Sequence, residues 1–100
     1  MYPLTMTFVI KEGTEERFKE AVRIFKEFTP KCEGLLFFEA FKSMQTRPDA
    51  PFTQAYVIIH AWESKDGYKQ FVGNAELRKA AFSILDEIQV SSDIVHLEPV

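Results

Sequence analysis

Two similar segments, each with the pattern of a strand followed by the start of a helix, constrain the fold of this chain most. They are FVIKEGTEERFK, which starts at Phe8, and IIHAWESKDGYK, which starts at Ile58. When the two are aligned, His60 falls at the position of Ile10. Two such βαβ halves packed in one sheet form the ferredoxin-like arrangement. The repeat therefore predicts that His60 lies on the same face of the sheet as Phe8 and Ile10.

The spacing of apolar residues predicts a βαββαβ order of elements. The predicted strands are residues 4–11, 35–42, 53–62 and 93–99, and an exposed loop is predicted at 43–51. The first helix is predicted to begin after Thr14 as its cap and to run to about Phe28. Ser64 is predicted to cap a second helix, and Asn74 a further one that runs to Ile88. This order predicts a ferredoxin-like α+β fold with an antiparallel four-stranded sheet and helices on one face.

Length and charge limit the classes of protein to which the chain can belong. One hundred residues predict a single domain over 1–100. A net charge of −3 and a pI near 5.4 argue against nucleic acid as a partner, because no basic face is available for phosphates. No apolar run approaches the ~20 residues that span a bilayer, so no membrane partner is expected. The single Cys32 argues against a disulfide framework and favours a cytoplasmic location.

Two of the predicted strands are apolar on both sides. Residues 35–42 and 56–62 carry aromatic or aliphatic side chains at successive positions. Two helices can cover only one side of a four-stranded sheet, so the other side needs a different cover. A second copy of the sheet would supply it. We therefore expect a homodimer that packs sheet on sheet, with the same surface used by both protomers.

Four segments of the chain are similar to those of a known family: MTFVIKEGTEERFKEAV, CEGLLFFEAF, AWESKDGYKQFVGN and IVHLEPV. They resemble the antibiotic biosynthesis monooxygenase domain, a dimeric α+β barrel, over nearly the whole chain. Some members of that family oxidise phenolic or quinol-like aromatics with molecular oxygen and no metal or flavin, and others degrade haem. The resemblance implies a cofactor-independent monooxygenase, with no cofactor of its own, that acts on a small aromatic or quinol-like molecule.

The residues that the haem-degrading members use are replaced in this chain. The resemblance places a Trp, a His and an Asn at positions that hold Phe71, Ala81 and approximately Met6 here. The only asparagine of the chain is Asn74. The departure from the family pattern therefore argues against haem degradation by that mechanism.

Strand 53–62 carries the candidate catalytic residues. Cofactor-free oxygenation needs an ionised substrate, and a base or hydrogen-bond donors must favour the anion. His60 is the candidate base, because an imidazole titrates near about 6.5. Trp62 is a candidate donor through its indole N–H, and Tyr56 and Tyr68 offer phenolic donors. The alternative is that His60 is a hydrogen-bonded core or interface residue and that Trp62 only packs.

Three further residues complete the candidate substrate-binding set. Glu39 would orient His60 as a carboxylate–histidine dyad if their strands are neighbours, or it lies at the barrel rim. Phe71 and Phe82 belong to the helix–sheet core and would line a pocket between helices and sheet. No metal-ligand spacing links the two histidines, and His96 is expected at a sheet edge, so no metal site is predicted.

Other functions fit the same features. The first is a non-catalytic protein that holds a metabolite in the same pocket. The second is a structural or stress-associated dimer whose cavity is filled by phenylalanines. The third is an isomerase that uses His60 for proton transfer, because one fold supports several chemistries. The position of His60 relative to a cavity discriminates among these functions.

Overall fold

The computed structural model describes residues 1–44 and 54–100, so most of the loop predicted at 43–51 lies outside the described residues. The elements in chain order are β1 (Tyr2–Ile10), α1 (Glu15–Phe28), a 3₁₀ turn (Thr29–Lys31), β2 (Leu35–Lys42), β3 (Gln54–Trp62), α2 (Lys65–Gly73), α3 (Ala75–Leu77), a π-helical segment (Arg78–Phe82), α4 (Ser83–Ile88) and β4 (Gln89–His96). In these two ranges, no helix combines the length and the apolar composition needed to cross a membrane.

The four strands form one antiparallel sheet in the order β2-β3-β1-β4. The first strand is therefore central, and it pairs with β3 from Tyr2 opposite Trp62 to Ile10 opposite Gln54. On its other side it pairs with β4, where Leu4 lies opposite His96. The predicted ferredoxin-like α+β fold is confirmed. The dimeric barrel stays a prediction.

The core lies between one face of this sheet and the helices. Alternate residues of β1 and β3 are buried on that face: Leu4, Met6, Phe8, Ile10, Tyr56, Ile58, His60 and Trp62. The helix α1 covers them with Phe18, Ala21 and Phe25, which recur at helical spacing and are buried. Burial of one such phenylalanine stabilises the fold by roughly 1.5–3 kcal/mol. His60 shares the face of Phe8 and Ile10, as the internal repeat predicts.

The three predicted helix caps behave differently. Asn74 caps α3 as predicted, because its Oδ1 accepts a hydrogen bond from the backbone N–H of Leu77 at 3.0 Å. Thr14 and Ser64 precede α1 and α2, but neither side chain makes a capping hydrogen bond. The Thr14 hydroxyl instead donates to the carbonyl of Lys11 at 2.6 Å, within the preceding turn. For these two residues the helix start was predicted correctly and the cap was not.

The last strand begins earlier and ends earlier than predicted. It covers Gln89–His96 and pairs with β1 over the range from Leu4 to Ile10. No loop separates α4 from β4, so the strand begins at Gln89 and not at residue 93 as predicted. The preceding π-helical segment keeps Ala81 buried, between the buried Leu77 of α3 and Leu85 of α4.

Candidate functional site

His60 lies on β3 with its side chain toward the helices, and it has no exposed surface. Strand register places it between Leu4 of β1 and Phe38 of β2. The ring centroids of Phe38, Phe71 and Tyr68 lie 5.5, 5.7 and 5.9 Å from that of His60. The imidazole is thus enclosed by aromatic rings on the helix side. It does not face the open side of the sheet, where a dimer is expected.

The indole of Trp62 determines which nitrogen of His60 carries the proton. Its Nε1–H donates to Nδ1 of His60 at 2.9 Å. An indole nitrogen can only donate, so Nδ1 accepts and the proton of the neutral ring is on Nε2. Nε2 is buried and has no hydrogen-bond partner among the described residues. The site therefore presents a buried N–H donor without an acceptor, which is rare in protein interiors.

The surroundings of His60 keep it neutral. Burial lowers its pKa from 6.5 to about 4, with a smaller contribution from His96. At pH 7 the ring is neutral, and its one lone pair is engaged by Trp62. A neutral Nε2–H can stabilise an oxygen anion, but it cannot accept a proton. The predicted role of general base therefore does not fit this geometry, and that of hydrogen-bond donor does.

Glu39 does not form the predicted dyad with His60. It lies opposite Ile59, whereas Phe38 lies opposite His60, so the carboxylate belongs to the other face of the sheet. Its Oε2 accepts from Nζ of Lys26 at 3.0 Å, and its side chain is 45% exposed. A register shift near the start of β2 decides which residues face the helices. The dyad is therefore wrong, and the alternative position at the rim fits the structure.

Tyr56 is held by the start of α1, away from His60. Its hydroxyl donates a short hydrogen bond to the carboxylate of Glu15, which also pairs with Lys42 at 3.4 Å. Burial and that carboxylate raise the pKa of Tyr56. The ring stacks on Phe18 with centroids 4.3 Å apart. These contacts leave the Tyr56 hydroxyl engaged and make it a link between β3 and α1.

Tyr68 lies beside the imidazole and belongs to a second aromatic group. Its ring packs edge-on against His96, with centroids 5.5 Å apart, and in a tilted arrangement against Tyr2, with centroids 5.6 Å apart. The hydroxyl of Tyr2 and Nδ1 of His96 are hydrogen-bonded at 2.7 Å. Burial raises the pKa of Tyr68. Among the two predicted phenolic donors, Tyr68 is therefore the one near His60.

Phe82 is partly buried and packs against the core from the helix side. Its ring contacts Phe25 at 5.1 Å and Phe71 at 5.9 Å, and the guanidinium of Arg78 lies 5.5 Å from its centroid. It does not line the cavity described below. The structure therefore places Phe82 at the edge of the core, whereas Phe71 is buried and reaches both His60 and the cavity.

A cavity of about 240 Å³ lies between the end of α1 and α2. Its walls include the aromatic rings of Phe28, Trp62 and Phe71, and Cys32 also lines it. His60 does not line it. Trp62 and Phe71, with ring centroids 5.2 Å apart, stand between the cavity and the imidazole. This cavity is not the predicted pocket around His60, because two aromatic rings separate it from the imidazole and only Trp62 and Phe71 of the candidate residues line it.

Sequence reasoning missed the residues that the 3₁₀ turn and the chain just after it bring to this cavity. They are Lys31, Cys32 and Glu33. Pro30 signals that the helix ends, but no local pattern predicts that the turn packs beside α2. Among the described residues, no three histidine, cysteine, aspartate or glutamate side chains are grouped to hold a metal ion.

The fold and the site together place the protein in a class: ferredoxin-like α+β domains with a polar side chain, here that of His60, buried between the sheet and the helices. The sequence model of the antibiotic biosynthesis monooxygenase family matches residues 1–81. The chain belongs to this family. None of the curated proteins is significantly similar to it in sequence.

Solved structures with the same fold extend over the whole chain. A conserved protein from Methanosarcina mazei Go1 covers 99% of this chain and 92% of its own, at 14% identity and a TM-score of 0.83. An antibiotic biosynthesis monooxygenase covers 100% and 99%, at 16% identity and a TM-score of 0.77. SnoaB, a cofactor-independent oxygenase from Streptomyces nogalater, covers 99% and 92%, at 14% identity and a TM-score of 0.75. At these identities the likeness shows the fold.

Proposed function

We propose that this protein is a cofactor-independent monooxygenase that acts on a small aromatic or quinol-like molecule with molecular oxygen. Membership of the antibiotic biosynthesis monooxygenase family supports a monooxygenase, and the fold is shared with SnoaB. The observation that carries the proposal is the neutral His60, whose buried Nε2–H has no acceptor in the part of the chain that the structure describes. A substrate oxygen would supply that acceptor.

The proposed role of His60 is to stabilise the substrate anion. A phenol that loses its proton becomes electron-rich enough to pass an electron to oxygen. The Nε2–H would donate to the phenolate oxygen, and the low dielectric around it would strengthen the bond. Oxygen then adds at the ring carbon opposite the phenolate, and loss of water gives a quinone. One oxygen atom stays in the product, and the other leaves as water with the two hydrogens that the phenol loses.

The test is oxygen consumption with a panel of phenols and hydroquinones. His60→Leu removes the donor and keeps an apolar side chain of similar bulk. We expect the rate above autoxidation to fall by about 10²–10³, the usual effect of losing one oxyanion donor. His60→Gln, which carries an amide N–H at a similar reach, is expected to retain part of the rate.

A matched control is Arg23→Ala, which removes an exposed ion pair with Glu27 and nothing near the site. It is expected to consume oxygen at the wild-type rate, and circular dichroism would check that each variant folds. Equal rates in wild type and in folded His60→Leu would remove His60 from the mechanism.

A second candidate function is non-catalytic binding of a small aromatic molecule. The separation of the cavity from His60 by Trp62 and Phe71 favours it, because a ligand in the cavity does not touch the imidazole. Saturable binding of a phenol, with oxygen consumption no faster than autoxidation, would support this function over the first one.

We also propose that the protein works as a homodimer through the sheet face that the helices leave open. That face exposes large apolar side chains: Phe37 (45%), Phe41 (49%), Ile59 (36%) and Val95 (43%). All four lie on the same face of the sheet, together with Thr5 between Ile59 and Val95 and with Glu39 opposite Ile59. Several large apolar side chains exposed on one face of a sheet are typical of an interface. A second copy of the sheet has the matching surface.

Ile59→Lys is expected to weaken this dimer by about tenfold or more, because it places an ammonium group from each protomer among the apolar side chains of the interface, with only Glu39 of the neighbouring strand opposite it. Sedimentation at several concentrations measures the effect. Ile94→Lys is the matched control, since Ile94 is also exposed (47%) but lies opposite Met6, on the helix side of the sheet. A wild-type protein that is monomeric at micromolar concentration, or equal effects of both variants, would contradict the interface.

A further inference from the structure

We propose that His96 is the base that takes the proton of the phenolic substrate, and that Tyr2 positions it. This role rests on the proposed oxygenase and completes it, because the reaction needs a donor to the substrate anion and also a base that forms this anion. His60 supplies the donor, and its lone pair is engaged by Trp62. The base must therefore be another side chain.

Strand register places the two histidines of the chain in one row on the helix side of the sheet. Both lie opposite Leu4 of the central strand, His60 from β3 and His96 from β4. Residues directly opposite share a face, and Leu4 is buried beneath the helices. With neighbouring strands about 4.8 Å apart, the two histidine backbones are separated by roughly 10 Å. His96 is exposed, so it forms the solvent end of a row in which His60 is buried.

Tyr68 shows that a phenolic ring reaches both imidazoles from one position. Its ring centroid lies 5.9 Å from that of His60 and 5.5 Å from that of His96. Tyr68 is only partly buried and lies near the start of α2, so a rotation of its side chain toward solvent makes this position available to a substrate. A hydroxyl bound there can give its proton to His96 directly or through one water.

The partners of the two imidazoles give them different chemical roles. The indole of Trp62 can only donate, which fixes His60 as a donor through Nε2. The hydroxyl of Tyr2, bonded to Nδ1 of His96 at 2.7 Å, can donate or accept. When Nε2 of His96 takes a proton, Nδ1–H donates to the Tyr2 oxygen and the bond is kept. His96 can therefore gain and lose a proton without losing its partner.

Other groups near this row are less suited to act as the base. Burial raises the pKa of Tyr68, so its hydroxyl stays protonated at neutral pH. Glu39 belongs to the other face of the sheet. Glu15 is bonded to Tyr56, which lies near the far end of β3. Imidazole is the side chain that takes up and gives back a proton near neutral pH, and His96 supplies one at this position.

His96 would hold one proton between the two halves of the reaction. The phenolic O–H bond breaks, its proton moves to Nε2 of His96, and its electron pair stays on the oxygen, which accepts from Nε2–H of His60. The phenolate is oxidised and molecular oxygen is reduced as the new C–O bond forms. The imidazolium of His96 then returns its proton to the oxygen atom that leaves as water. Its positive charge meanwhile keeps His60 neutral, because His96 lowers the pKa of His60.

The experiment measures oxygen consumption with phenol and with 2,6-difluorophenol. The second compound is the stronger acid and keeps the ring carbon opposite its hydroxyl free. His96→Gln keeps a polar side chain that takes up no proton. We expect it to lower the turnover of phenol at pH 7 by about 10²-fold or more, the usual contribution of a general base. Above the pKa of 2,6-difluorophenol the substrate is already ionised, so the variant is expected to match the wild type with that compound.

The donor and the base are told apart by the same two compounds. His60→Leu is expected to slow the turnover of both, because an ionised substrate still needs a donor. His96→Gln is expected to slow that of phenol alone. A variant that merely disturbs the site would slow both compounds, so the difference between them reports on the base and not on packing.

The pH profile gives a second readout. A base must be neutral to act, so wild-type kcat/KM for phenol is expected to fall from pH 8 to pH 5.5, where imidazoles take up a proton. His96→Gln is expected to lack this fall. His60 does not contribute, because its pKa is about 4. The other titratable or charged groups on this side are Tyr2 and Tyr68, with Arg78 near Tyr68. Phenols and guanidinium groups ordinarily titrate well above this range.

Tyr2→Phe tests the positioning of His96. It keeps the ring and removes the hydroxyl that holds Nδ1. Turnover of phenol is expected to fall by about three- to tenfold, the contribution of one neutral hydrogen bond, and that of ionised 2,6-difluorophenol is expected to stay unchanged. Ser92→Ala is the matched control, because Ser92 is exposed on the same face of β4, opposite Phe8. It is expected to leave both rates unchanged.

Each outcome decides the proposal. Wild-type turnover of phenol by folded His96→Gln, or equal losses with both phenols, would overturn it. If His96→Gln does not fold, Tyr2→Phe decides: a loss confined to phenol supports the proposal, and any other pattern overturns it. Turnover that depends on His60 and not on His96 keeps the oxygenase and removes this role. No oxygen consumption by the wild type with either phenol also removes this role, and the wider panel of phenols and hydroquinones then decides separately on the oxygenase.

Discussion

Trp62→Ala is expected to lower the free energy of unfolding by about 3–5 kcal/mol, the usual cost of truncating a buried aromatic residue. Trp62 is fully buried, and its ring packs against Phe71 with centroids 5.2 Å apart. The substitution enlarges the neighbouring cavity and also leaves Nδ1 of His60 without its donor. Urea unfolding followed by circular dichroism measures the change.

Trp62→Phe separates the two effects. It keeps an aromatic ring and removes the indole N–H, so the buried Nδ1 of His60 loses its partner. A loss of about 1–3 kcal/mol is expected, the cost of one buried unsatisfied polar group. A Trp62→Phe protein as stable as the wild type would show that the bond between Trp62 and His60 does not stabilise the fold.

Stability is also expected to fall as the pH is lowered from 6.5 to about 4. The pKa of His60 is about 4 in the folded protein against 6.5 as an ordinary value. In this window the unfolded chain binds a proton at His60 and the folded protein does not, so acid favours unfolding. Across this window the free energy of unfolding falls by about 3 kcal/mol in total. This loss of stability is absent above pH 6.5 and complete below about pH 4.

The control for this pH dependence is His60→Leu, which has no titrating group at that position. Urea unfolding at one fixed protein concentration is repeated between pH 7 and pH 4.5. It gives the change in the free energy of unfolding with pH for each of the two proteins. The wild type should lose stability more steeply than the variant. Parallel curves would show that His60 titrates alike in the folded and unfolded states.

Much of the fold follows from the sequence, because its strands alternate clearly and its helices carry one apolar face. The position of His60 was also predictable, since the repeat aligns it with Ile10 of the central strand. Its bond with Trp62 could have been predicted as well. Residues two apart on a strand share a face, and an indole N–H must find an acceptor when it is buried.

The roles of the site residues needed the three-dimensional structure. The choice between a Glu39–His60 dyad and a rim position could not be made from the sequence, because the register shift near the start of β2 decides which face each side chain occupies. Register depends on how two strands pair and cannot be predicted from one strand alone. The cavity was missed because its lining comes from the end of α1, the 3₁₀ turn and α2. The depressed pKa of His60 depends on burial by Phe38, Tyr68 and Phe71, which come from two other elements.

The central place of β1 in the sheet has a consequence for synthesis on the ribosome. Tyr2–Ile10 is the first strand to emerge, and its partner Gln89–His96 is the last. At about 5–20 residues per second, the roughly 80 residues between them take about 4–16 s to translate. During that time one backbone edge of an apolar strand has no native partner. The nascent chain is therefore most exposed to aggregation just before its last strand leaves the ribosome.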